Sequence, residues 1–109
     1  MMQSEIPPGA VAVIFMSKRS DADPQGYAAA ADDMRREAER QPGYVGIWSA
    51  RGEDGVGITV SYWASDEAAR GWKANAAHAA IRDQGRAKWY DWYELVVAEV
   101  TRGYGWKRA

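Results

Sequence analysis

Ala10 to Met16 is a continuous apolar run directly behind Pro7-Pro8-Gly9, the pattern of a strand buried on both faces, and it predicts the first strand of a sheet. Asp23-Pro24 then offers an N-cap with proline at the first helical position. Tyr27, Ala31, Met34 and Ala38 recur at helical spacing until Pro42-Gly43 stops the run. On the polar side, Asp32 with Arg36 and Arg35 with Glu39 stand at i,i+4, as on a solvated helix face. Tyr44 to Arg51 and Val56 to Trp63 are rich in β-branched and aromatic residues, and the link Gly52-Glu53-Asp54-Gly55 between them marks a hairpin. Ser65 caps a second helix with Asp66 and Glu67 in its first turn, an apolar stripe of Ala68, Ala69, Trp72, Ala76, Ala79 and Ala80, and an end near Gly85. Trp92 to Thr101 closes the pattern as a strand with apolar residues at both parities.

The predicted order β-α-β-β-α-β is the split βαβ arrangement, an α+β, ferredoxin-like fold whose antiparallel sheet carries its helices on one face. The other face holds valine, tryptophan and tyrosine. An uncovered apolar surface of that kind marks association, and a two-fold homodimer packing sheet against sheet is the simplest closed solution. Residues 1 to 9 and the end from Arg102 read as extensions, the latter able to reach across to a partner.

Length changes this picture little: 109 residues predict one domain, residues 1–109, with a real core but not enough chain to cover both faces of a wide sheet. A net charge of −1 and a pI near 5.8 arise from interspersed signs. The basic clusters Arg35-Arg36 and Lys107-Arg108 are too small for a phosphate-tracking stripe, so nucleic acid is not an expected partner. Nothing approaches the roughly 20 apolar residues of a membrane span, and Met1-Met2-Gln3-Ser4-Glu5 has no basic lead into an apolar stretch. A soluble cytoplasmic protein is expected.

Six tryptophans and six tyrosines beside one histidine and no cysteine supply aromatic walls and little to build a metal or thiol centre. On a continuous second helix, Gly71, Asn75, His78 and Arg82 would share one narrow sector beside the stripe. An imidazole, a guanidinium and an amide would then border a cavity near Trp63 and suit a small, oxidisable, anionic or phenolic ligand. The alternative for Asn75 and Arg82 is a solvated rim, and for His78 a carbonyl partner or the dimer seam. Trp72 also reads as a core residue, Trp63 equally as core or pocket lining, and the Trp89 to Tyr93 cluster as interface. No acidic residue stands at i±3 or i±4 from His78, which argues against a metal site. No serine sits in a Gly-x-Ser-x-Gly elbow, and the glycines around Gly52, Gly55 and Gly57 belong to a hairpin, not a phosphate cradle.

Tyr62-Trp63-Ala64-Ser65-Asp66-Glu67-Ala68-Ala69-Arg70-Gly71-Trp72-Lys73, continued by Asn75, His78, Gly85-Arg86, Trp89-Tyr90 and Tyr93, resembles the antibiotic biosynthesis monooxygenase superfamily of small dimeric α/β barrels. Pro42-Gly43-Tyr44 is similar to the family's turn before the second strand. The resemblance implies a ferredoxin-like subunit, a dimer of packed sheets and a cavity between helices and sheet. It also implies, for some members, oxygenation of phenols, anthrols or quinols without metal or flavin, the substrate supplying the electrons. Trp63 matches the pocket tryptophan of the polyketide-oxidising members, whose nearby asparagine and tyrosine are Thr59 and Ala69 here. In the haem-degrading branch a tryptophan matches Trp72, but Arg82 stands where that branch ligates iron and His78 lies one turn early, so haem degradation is disfavoured.

The expectation is therefore a cofactor-independent monooxygenase acting on a small aromatic or polyketide-like quinol or anthrol. His78 would be its base, Asn75 and Arg82 its anion stabilisers, and Trp63, Trp72, Thr59 and Tyr90 would contact the substrate. A non-catalytic small-molecule-binding or accessory dimer is the alternative, and haem binding with His78 as a displaced ligand is a third reading.

Overall fold

The computed structural model describes residues 6–109, without the side chains of Ala76 and Ala77; the Met1 to Glu5 reading lies outside that range. Strand β1 spans Val11–Arg19, helix α1 Pro24–Glu39, β2 Tyr44–Arg51, β3 Val56–Trp63, α2 Asp66–Ala74, α3 Ala76–Gln84 and β4 Tyr90–Glu99, with a π-turn over Gly85–Trp89 before the last strand. The sheet runs in the order β2-β3-β1-β4 with every neighbouring pair antiparallel, the ferredoxin-like α+β topology. β2 and β3 occupy the predicted residues. β1 starts one residue later and runs three further than its apolar stretch, because Ser17, Lys18 and Arg19 still pair with β3 or β4.

Local signals explain the boundaries. Asp23 sits in the left-handed region (φ 49°) and its Oδ1 accepts from Gly26 N at 3.1 Å, capping α1. In the hairpin, Gly55 takes φ 85° while Asp54 Oδ1 accepts from Val56 N at 3.0 Å. Ser65 Oγ accepts from Ala68 N at 3.1 Å and starts α2. Arg36 pairs with Asp32 at 2.9 Å as expected, whereas Arg35 turns toward the space between the layers.

The predicted second helix is not continuous. At Asn75 the backbone is extended (φ −60°, ψ 130°), and the chain restarts as α3 at an angle that helical projection could not give. Gly71, Asn75, His78 and Arg82 therefore do not share one sector of one helix, and Ala80 of the presumed stripe is exposed. The π-turn adds a second irregularity, with Tyr90 N donating to Gly85 O. It brings β4 in at Tyr90 and not at Trp92, and β4 ends at Glu99 and not at Thr101.

Odd-numbered residues of all four strands face the helices, together with Tyr44 and Tyr90, which register shifts in β2 and β4 turn to the same side. The core between the layers is Val11, Ala38, Trp63, Ala69 and Trp72, with Val13, Met34, Tyr44 and Ala68 packed against it. The remaining even-numbered residues face away and leave Trp48, Ile58, Trp92 and Val96 largely exposed. β1 is buried or half-buried at both parities, whereas the double-sided burial expected of the last strand is absent within one chain. Among the described residues no helix is long and apolar enough to cross a membrane.

Candidate functional site

Between the helices and the odd-numbered sheet face lies a cavity of about 840 Å³. Its floor is Val13 and Phe15 of β1, Ile47 and Ser49 of β2, Thr59 and Ser61 of β3, and Tyr93, Leu95 and Val97 of β4. The roof comes from Tyr27, Met34 and Arg35 of α1, Trp72 and Lys73 of α2, and His78, Ile81 and Arg82 of α3. The helical layer does not reach across β4: Leu95 and Val97 line the cavity yet stay about half exposed, so its mouth opens along that strand.

The break at Asn75 builds the polar end. Asn75 Oδ1 accepts from His78 N at 3.2 Å, the N-cap bond that starts α3, while Asn75 N donates to Trp72 O at 3.0 Å. This bend folds the imidazole back onto the end of α2. The His78 ring stacks on Trp72 at 4.5 Å between centroids and 21° between planes, and its Nδ1 lies 3.0 Å from Trp72 O. A carbonyl oxygen only accepts, so Nδ1 carries the proton and Nε2 is the basic atom of the neutral ring. Burial lowers the His78 pKa below the ordinary 6.5 and the nearby Arg82 cation adds to this, against the opposing effect of the carbonyl bond. Arg82 Nε is buried without a hydrogen-bond partner.

The opposite end is phenolic. Arg51 Nη2 donates to Ser17 Oγ at 2.9 Å and to the Tyr27 hydroxyl at 3.2 Å, and Nη1 donates to Gly55 O at 2.6 Å. Tyr90 meets Tyr27 edge to face at 5.8 Å and Phe15 at 5.4 Å. Burial, and then its hydrogen bond to Tyr27, push the Tyr90 phenol well above the ordinary tyrosine range, so it stays protonated. Gly85 is required for this: a Cβ there would lie 2.9 Å from the Tyr90 ring. Between the two ends, Thr59 Oγ1 and Ser49 Oγ share a hydrogen at 2.6 Å on the floor.

Of the residues singled out from sequence, the structure gathers His78, Arg82, Trp72, Thr59 and Tyr90 around one cavity. Trp63 is not on its wall. That indole is fully buried behind Trp72, stacked on it at 5.8 Å, with Nε1 donating to Ser61 Oγ at 3.0 Å. It supports the Trp72–His78 stack from behind and has no face for a ligand. Asn75 is likewise not among the lining residues, its side-chain oxygen being used as the α3 cap. Sequence reading missed Tyr27, Arg51, Tyr93 and Arg86. The first was assigned to the core stripe of α1, and no periodicity marks an arginine at a strand end as a cavity residue.

A four-stranded antiparallel sheet with three helices on one face and a cavity between the layers defines a ferredoxin-like α+β protein. The family model of the antibiotic biosynthesis monooxygenases matches residues 10–84, and the chain belongs to that family. It is 45% identical over 91 residues to YqjZ, an uncharacterized protein of Bacillus subtilis (strain 168), a match covering 84% of this chain and 79% of that protein. Its fold is similar to that of SnoaB, a cofactor-independent oxygenase from Streptomyces nogalater, with TM-score 0.74, 16% identity and coverage of 87% of this chain and 96% of that one. It is also similar to that of Rv0793 from Mycobacterium tuberculosis, with TM-score 0.76, 15% identity and coverage of 86% and 97%.

Proposed function

We propose that this chain is a cofactor-independent monooxygenase-like protein that binds a small aromatic or polyketide-like quinol or anthrol between its helices and sheet, and that it works in the cytoplasm as a homodimer packed sheet against sheet. The observation that carries the reading is the His78 imidazole, stacked on Trp72 with its proton held on Nδ1 by a backbone carbonyl, in a cavity of ligand size.

In this reading Nε2 removes a proton from the bound ring, and Arg82 balances the charge that forms. The electron-rich anion gives one electron to molecular oxygen, and the radical pair collapses to a peroxide at carbon. Cleavage of the O–O bond, with the proton returned from Nε2, leaves a carbonyl and releases water. A methylene becoming a carbonyl loses four electrons, which reduce the two atoms of O₂, so no other reductant is needed. Phe15 supplies a ring surface and Trp72, stacked between Trp63 and His78, closes the wall and holds the imidazole, while Thr59 and Tyr90 are hydroxyl contacts for substrate oxygens.

The exposed Trp48, Ile58, Trp92 and Val96 on the outer sheet face support the dimer, in which the tail from Arg102, with Tyr104 and Trp106 exposed, would lie on the partner. A non-catalytic binding dimer is the second reading, favoured by the structural use of Asn75 and Trp63. Oxygen uptake with hydroquinones and anthrols decides between them. Uptake that falls by about two orders of magnitude or more in His78→Ala supports the enzyme, and equal rates in parent and variant would remove the imidazole from the chemistry.

A further inference from the structure

The charges around the cavity are far from those of the whole chain. The molecule carries 14 basic and 15 acidic residues. The cavity wall, however, holds six cations, Arg35, Arg51, Arg70, Lys73, Arg82 and Arg86, against one carboxylate, Asp66. That carboxylate is already held by Arg70 at 2.6 Å. Among the described residues none of the other five cations forms an ion pair with a carboxylate inside or outside the cavity. Arg51 is directed at neutral oxygens and Arg86 at the Tyr93 hydroxyl.

Five of these cations are exposed at the rim, where each acts weakly through water but all add to one field at a concave mouth. Arg82 differs. It is half-buried, and its Nε has neither solvent nor an acceptor. An unsatisfied buried donor on a cation opposes folding, and a sixth positive charge in one cleft adds repulsion. The repulsion falls when an anion enters, since a carboxylate presents two acceptor oxygens in the plane that a guanidinium recognises, here through the terminal nitrogens of Arg82 and not the enclosed Nε.

We infer that the cavity selects an aromatic ligand bearing a permanent negative charge, a ring carboxylate, with the carboxylate seated at Arg82 and drawn in by the surrounding basic rim. The inference rests on the small-molecule cavity of the proposed function but not on oxygen chemistry. A neutral quinol offers Arg82 only uncharged oxygens and gains nothing from the field of the rim.

The test is anaerobic calorimetric titration with matched pairs: 1,4-dihydroxy-2-naphthoic acid and its methyl ester, and 2-naphthoic acid and its methyl ester. Each acid should bind about ten-fold or more tightly than its ester, the gain of one charge-assisted pair, and the advantage should shrink as salt is raised. Arg82→Met, checked for an unchanged circular-dichroism spectrum, should erase the advantage, and Arg82→Lys should restore part of it. Lys73→Gln, an exposed change, should lower acid affinity about two-fold and ester affinity by less. Esters binding as tightly as acids, no acid binding at all, or an advantage untouched by Arg82→Met would overturn the inference. Carboxylate-dependent binding with no oxygen uptake from the dihydroxy acid would remove the oxygenase reading and leave this one intact. Equal uptake from the dihydroxy acid and its ester would do the reverse.

Discussion

His78 is the only imidazole in the chain, so its nuclear magnetic resonance signals report one site without ambiguity. The parent protein should show a pyrrole-like Nδ1 and a pyridine-like Nε2, because Nδ1 faces the Trp72 carbonyl. Its titration midpoint should lie below the ordinary 6.5, since burial disfavours the cation. Asn75→Ala removes the oxygen that accepts from His78 N at 3.2 Å. Loss of such a cap costs about 1 kcal/mol, which for a domain of this size lowers the melting temperature by roughly 4 °C. The same loss shifts the ratio of pinned to released ring by about five-fold, 1 kcal/mol being about 1.7 RT. The released ring sees more water, so the midpoint in Asn75→Ala should rise toward 6.5, and Asn75→Ser, which keeps a capping oxygen, should return it to the parent value. Melting curves and histidine titrations of the three proteins measure both effects. A protonated Nε2 with a bare Nδ1 in the parent, or a midpoint that ignores Asn75→Ala, is incompatible with a ring held by this bend.

Four other outcomes follow from the same geometry. Because folding depresses the His78 pKa, the unfolded chain takes up its proton first. The His78 contribution to stability is complete above pH 6.5 and declines as pH falls through the lower folded value, a decline that chemical denaturation should show and that should vanish in His78→Gln. For the same reason the acid limb of the kcat/KM profile for oxygen uptake should lie below pH 6.5. Gly85→Ala places a methyl 2.9 Å from the Tyr90 ring, and thermal denaturation should show a loss of about 1–3 kcal/mol. Trp48→Glu on the exposed sheet face should elute as a monomer in light-scattering chromatography under conditions where the parent is a dimer.

The hairpin was readable because each of its signals is local: Gly52 to Gly55 forms the turn that its glycines and Asp54 demand, and both strands carry β-branched and aromatic residues. The caps Asp23 and Ser65 were readable for the same reason. The break at Asn75 was hidden by its alanine-rich surroundings, which favour an unbroken helix; the only hint was an asparagine three residues before the histidine, a spacing that suits an N-cap. Trp63 shows another limit. Its place at a strand end suggested a cavity mouth, but whether an indole faces a ligand or stands behind another indole depends on where Trp72 arrives from a different element. The cavity's charge imbalance was the least readable, since its cations come from α1, β2, α2, α3 and the π-turn, and along the chain several of them, such as Arg35, Arg51 and Arg70, lie among acidic neighbours.

Asp91 has no register partner on β1, where Lys18 pairs with Trp92 and Arg19 already with Tyr90, and this one extra residue is a parity switch inside the last strand. Side chains alternate across a sheet, so without it Tyr90 would point the same way as Trp92, away from the cavity. With it, two phenols three positions apart flank the same Phe15 ring, and a single inserted amino acid doubles the hydroxyl-bearing surface that β4 offers a ligand.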